Sequence, residues 1–85
     1  RLGIQYTEIN SVTAELNKVP TGLCIQEITV ESELYGKGIA KDDIITHIND
    51  RQIRSIDDLA RLTDKIRSID GVYPNGRASS YMIVE

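Results

Sequence analysis

Gly38-Ile39-Ala40-Lys41-Asp42-Asp43-Ile44-Ile45-Thr46-His47-Ile48-Asn49 is the most informative run in the chain. Its centre, Ile44 to Ile48, is dense in β-branched residues, whose stiff side chains pack well on a pleated surface, and it reads as a strand. The strand is bounded by a Lys41-Asp42-Asp43 turn and an Asn49-Asp50 turn, and Gln52-Ile53 follows closely enough to pair back as a short return strand.

Working towards the N-terminus, Leu23 to Val30 is apolar on both faces, which predicts a strand with neighbours on either side. Ser32 is placed to cap a short helix, with Glu33 in its first turn and Gly36 and Gly38 as its stop. Leu2 to Ile9 predicts another strand. It passes through an Asn10-Ser11 cap into a helix over Ser11 to Lys18 that carries Val12 and Leu16 on one face. Pro20 prevents that helix from continuing, and Thr21-Gly22 turns the chain. On the C-terminal side, Ser55 caps what should be the longest helix, with Asp58 in a capping-box relation. Ile56, Leu59, Ala60, Leu62, Thr63 and Ile66 trace its apolar face as far as about Arg67. Arg54, Asp57, Arg61, Asp64 and Lys65 form its solvated side. Pro74-Asn75-Gly76-Arg77 holds the Asn-Gly pair favoured in tight hairpins and separates Ile69 to Tyr73 from Ser80 to Val84. This order of elements is α+β, with a small, curled, mainly antiparallel sheet.

With 85 residues the chain reads as one domain over 1–85, too small for a deep multi-layer active site. The formal net charge is -3, and the ten basic residues are interleaved with thirteen acidic ones, so the electrostatic footprint of a nucleic-acid binder is missing. No apolar run reaches the length that spans a bilayer, and the start does not resemble a signal peptide, so any export signal or membrane anchor would lie outside these residues. The one cysteine, Cys24, lies between Leu23 and Ile25 and reads as a buried thiol. His47, the one histidine, has no second histidine or cysteine near it in sequence with which to share a metal. Asp42 and Asp43 look like a carboxylate pair, but adjacent turn residues rarely converge on one substrate, and a turn or cap role fits better. No serine or threonine sits in an activated-nucleophile motif. Neither a metal site, nor a cofactor, nor a catalytic residue is expected.

The quoted run resembles the segment of PDZ domains written as glycine, leucine, two variable residues, glycine, aspartate, valine, isoleucine, two variable residues, isoleucine, asparagine. Ser55-Ile56-Asp57-Asp58-Leu59 is similar to the opening of the family's groove helix, and Gly22-Leu23-Cys24-Ile25 with Ser32 is similar to the strand and cap that precede the run. Arg1-Leu2-Gly3-Ile4 comes first and the helix late, which resembles the bacterial HtrA/Deg arrangement. The family's glycine before the turn aspartate is here Asp42, so an aspartate must make a turn that often wants positive φ.

The resemblance implies a PDZ-like fold of five to six strands with one longer groove helix and two short ones. It implies a carboxylate-binding loop at Arg1, Leu2, Gly3 and Ile4 and a peptide-pairing strand at Gln5, Tyr6 and Thr7. The groove helix would offer Ile56, Leu59, Ala60, Leu62 and Thr63. Read from their spacing alone, Ile56, Leu59 and Leu62 serve equally well as core. The implied partners are polypeptide C-termini or unfolded proteins, bound as an added strand, and the implied parent is a serine protease of the cell envelope, acting outside the cytoplasm and open to oligomerisation. Two further readings stand beside it. One is a PDZ module of another envelope protein, such as a site-2 metalloprotease, a C-terminal processing protease or a secretion component. The other is a structural or oligomer-forming domain with an occluded groove.

Overall fold

The computed structural model describes residues 3–32, 35–36 and 38–83. Its elements are β1 (Ile4–Ile9), α1 (Ser11–Asn17), β2 (Gly22–Ile28), β3 (Ile44–Ile48), β4 (Arg51–Gln52), α2 (Ile56–Ala60), β5 (Ser68–Val72) and β6 (Ala78–Met82). The architecture is α+β: one antiparallel sheet in the order β1-β2-β3-β5-β6, with β4 paired to β3.

Strand β3 organises the sheet. β2 takes Ile44 and Ile45, β4 takes His47 and Ile48, and β5 pairs from Ile44 to Ile48. Because successive residues of a strand point to opposite faces, Ile44 and Ile45 feed different cores. Ile45, Ile48, Leu23, Ile25, Ile53, Leu59, Leu62, Ile66 and Ile69 form the main cluster with Ile4, and the α2 segment covers it. Ile44 joins Ile9 and Ala14 in a smaller cluster on the other face, beneath α1. The strands stay close because glycines sit where they cross β3. A Cβ on Gly71 would lie 1.9 Å from the Ile44 carbonyl oxygen, and one on Gly22 would lie 2.3 Å from that of Ile45.

Both turns around β3 depend on residues that tolerate the left-handed region. Asn49 (φ 53) and Asp50 (φ 66) form a two-residue type I′ connection into β4. Asp42 adopts φ 76, as its place in the turn requires, and donates its N–H to the Ile25 carbonyl at 2.8 Å. Asp43 is buried and its carboxylate accepts the Ala40 N–H at 3.0 Å.

Two helical expectations need correction. There is no longer groove helix: α2 ends at Ala60 rather than near Arg67, so the seven-residue α1 exceeds it. Past Ala60 the Leu62 N–H bonds to the Leu59 carbonyl at 3.1 Å in a tighter turn, and further on the chain is held by Asn49, whose side chain donates to the Lys65 carbonyl at 2.8 Å and accepts from the Arg67 and Ser68 N–H groups at 2.7 and 3.1 Å. Of these groups only the Arg67 N–H would bond within a helix that ran to Arg67. The short helix expected after Ser32 falls on Glu33 and Leu34, which lie outside the described residues, and the Ser32 N–H before it bonds to the Thr29 carbonyl. Gly36 (φ 74) and Gly38 (φ 90) carry the chain out of helical space. In α1 the residue that packs is Ala14, while Val12 and Leu16 are 66% and 78% exposed.

Helix α1 is otherwise closed as its sequence indicates at one end only. Asn10 caps it by accepting the Thr13 N–H at 2.9 Å. Its other end is a Schellman motif on Lys18 (φ 56), with Val19 N–H on the Ala14 carbonyl and Val19 packed against the small cluster. The β5–β6 loop is not the two-residue turn that Asn75-Gly76 suggests. Tyr73 N–H reaches the Arg77 carbonyl, Gly76 alone takes positive φ (86), and the Asn75 side chain accepts the Arg77 N–H.

Candidate functional site

Strand β1 is the first strand of the sheet and pairs with β2 alone among the described strands, so its outer edge is unpaired. It holds register despite an irregularity between Gln5 and Tyr6, where Gln26 is the extra residue on β2. Alternation therefore places Ile4, Tyr6 and Glu8 in one row and Gln5 and Thr7 in the other. Ile4 and Tyr6 pack with the main cluster that contains Leu59 and Leu62. Continuing along the row, the Glu8 carboxylate accepts the N–H of Ile56, the first residue of α2, at 2.6 Å. This contact joins residues 48 apart in sequence and ties the C-terminal end of β1 to the start of α2.

The five residues expected on the groove helix divide sharply. Leu59 and Leu62 are 6% and 2% exposed and belong to the core. Ile56 is 47% exposed, and Ala60 and Thr63 lie on the exposed surface. Ser55 caps α2 by accepting the Asp58 N–H at 3.2 Å. The reciprocal bond goes one residue earlier than a capping box would place it, since Asp58 accepts from Arg54 N–H at 2.9 Å.

Of the expected carboxylate loop, Arg1 and Leu2 lie outside the described residues. Gly3 has φ 68, and its carbonyl accepts the Thr29 N–H at 2.8 Å. A Cβ on Gly3 would stand 2.7 Å from the Thr29 hydroxyl and 3.0 Å from the Ser32 Cβ. The glycine is thus required by the junction of β1 with the 29–32 turn, whatever else it does. Gln5 and Thr7 are exposed on β1, and Tyr6 is half-buried.

Other candidate groups have local partners. His47 is half-buried, and its Nδ1 lies 2.9 Å from the Thr46 hydroxyl, which donates to the Asp70 carbonyl. Burial pushes the Cys24 thiol above its ordinary value, and the Asp42 and Asp43 charges push it the same way. Such a thiol is a poor nucleophile. Among the described residues, no group of three or more His, Cys, Asp or Glu side chains is placed to hold a metal ion, and no helix is long and apolar enough to cross a membrane.

Sequence reasoning passed over two features. Glu8 is one, although the two-residue period that groups Ile4 with Tyr6 already places it in their row. The other is a cleft of about 760 Å³ where Gln5, Glu27 and Ile28 face Tyr35, Ile39 and Lys41. Its far wall is a loop, whose approach to the sheet no periodicity announces. No protein-family model and no curated protein matches the chain.

Proposed function

We propose that the chain is a PDZ-type peptide-binding domain from an HtrA/Deg-like serine protease acting outside the cytoplasm. It holds polypeptide C-termini or unfolded segments by strand addition, and so positions substrate or regulates proteolysis. The observation that carries this reading is the unpaired edge of β1, tied through Glu8 to the start of α2, with Ile56 and Ala60 exposed on that helix and Thr63 just after it. An extended peptide laid on that edge satisfies its backbone groups as the next strand of an antiparallel sheet would. Its alternate side chains meet the helix wall. Backbone donors at Leu2, Gly3 and Ile4 would receive the terminal carboxylate, an anion suited to successive N–H groups. A few such bonds and one buried side chain give roughly micromolar affinity, about -8 kcal/mol.

The test uses peptides selected from a display library with free C-termini. Amidating a selected peptide should weaken binding by about 1.5 to 3 kcal/mol, the worth of charge-assisted bonds to the carboxylate. Equal affinity for acid and amide in calorimetry removes the carboxylate site, and failure to select any peptide leaves a structural domain.

A further inference from the structure

We infer that Glu8 is a stop at one end of the proposed groove, limiting how many peptide residues can pair with β1. The inference rests on the peptide-binding reading above. A strand added to β1 must run about 4.8 Å from it, in the space between β1 and α2. At the level of Glu8 that space is crossed, because the carboxylate reaches from β1 to the Ile56 backbone in a direct 2.6 Å bond. Ile56 N–H belongs to the first turn of α2, where the helix itself supplies no acceptor, so the bond meets a real need. Ser55 does not meet it, since its hydroxyl serves Asp58. A peptide lying beside Ile4 to Thr7 leaves the contact intact. That stretch spans about 13 Å at about 3.3 Å per residue, room for about four peptide residues. A longer one must either break the Glu8 bond, or bend away from the sheet and gain nothing from its extra length. Glu8 is therefore a specificity-determining residue for peptide length, and its exposure leaves it free to be replaced without disturbing the core.

The test takes a free-C-terminus peptide of about eight residues selected from the display library, together with its own last four or so, and measures both by fluorescence polarisation. Wild type should bind the two within about threefold. Glu8→Ala should bind the longer peptide at least about fivefold more tightly than wild type does, with the shorter one unchanged within about twofold. Glu8→Gln keeps an oxygen that can accept from Ile56 and should behave as wild type. The inference is overturned if wild type already binds the longer peptide more than about fivefold better than the shorter, a comparison that needs no variant. It is equally overturned if Glu8→Ala changes both peptides alike or neither. If neither wild type nor Glu8→Ala selects any peptide, the peptide-binding reading falls and the stop falls with it.

Discussion

Lys18 and Asp42 hold positive φ without being glycine, at 56 and 76 degrees. In that region an L side chain crowds its own backbone, at a cost of about 1 to 2 kcal/mol. Glycine removes that cost but loses about 0.4 to 1 kcal/mol through the freer unfolded chain. Lys18→Gly should therefore raise stability by roughly 0.5 to 1 kcal/mol, seen as a higher urea midpoint at unchanged slope. A lowered midpoint would mean that the lysine makes a compensating contact. Asp42→Gly carries a second effect, because the Asp42 charge is one of the influences that hold the Cys24 thiol up. The unfolded thiol ionises near 9.0 and the folded one later, so the folded state holds the proton longer. The associated stability is complete below pH 9.0 and is lost as pH rises from there through the folded value. Removing the Asp42 charge lowers the folded value and shrinks that loss. At alkaline pH, Cys24 in Asp42→Gly should react faster with iodoacetamide than in wild type, though more slowly than in an unfolded chain, since burial is the larger influence. An unchanged rate would place the Asp42 carboxylate too far away to matter.

Elements repeat this division between what a residue prefers and what its neighbours demand. The strands were legible because runs such as Ile44 to Ile48 combine β-branched side chains with turn residues at both ends. Helix α2 was not, because its apolar pattern continues to Ile66 while the chain leaves the helix after Ala60 and is then bonded by Asn49, a residue distant in sequence. The apolar face is broader than a core stripe needs, which marks Ala60 and Thr63 as the members expected to be exposed, and both are exposed; spacing alone fits Leu59 and Leu62 equally to core or groove, and they are buried. Leu62→Ala should cost about 2 to 5 kcal/mol of stability. Thr63→Asp should change it by no more than about 0.5 kcal/mol while weakening a selected peptide about tenfold or more. Denaturant titration with paired binding data separates the two, and a Thr63→Asp variant that binds as well as wild type would exclude this side of α2 from the groove. The crossing of β5 over β3 gives a sharper demand. Gly71→Ala sets a methyl group against the Ile44 carbonyl, and a backbone atom cannot swing aside as a side chain can. A loss of at least about 2 kcal/mol is expected in the same titration. A nearly neutral outcome would show that β5 can draw back from β3.

At 12.0 Å, the radius of gyration is that of a compact domain of this length, about 12 Å from the size relation for folded chains. Compactness does not make the molecule uniform, because its two clusters are tied together through β3 and not equally anchored beyond it. Ile44 serves the small cluster, and Ile45 and Ile48 serve the large one, so β3 cannot open without loosening both faces of the sheet. Helix α1 is held differently. Ala14 is its one buried residue, Val12 and Leu16 project into solvent, and no buried polar bond ties its body to the sheet among those described. A single alanine contributes little area, and at about 25 cal/mol per Å² it cannot give the helix the stability of the whole. Native-state hydrogen exchange should therefore find the amides of Ile25, Ile45 and Ile48 opening only with global unfolding, while those of Leu16 and Asn17 exchange through a local event at least about 2 kcal/mol less costly. Urea unfolding followed by circular dichroism should still show one transition, since the seven residues of α1 carry too little signal and cooperativity to separate. Equal protection of α1 and β3 would mean that the small cluster is as firmly built as the large one. The exposed Val12–Leu16 side would then be the first place to seek the contact responsible.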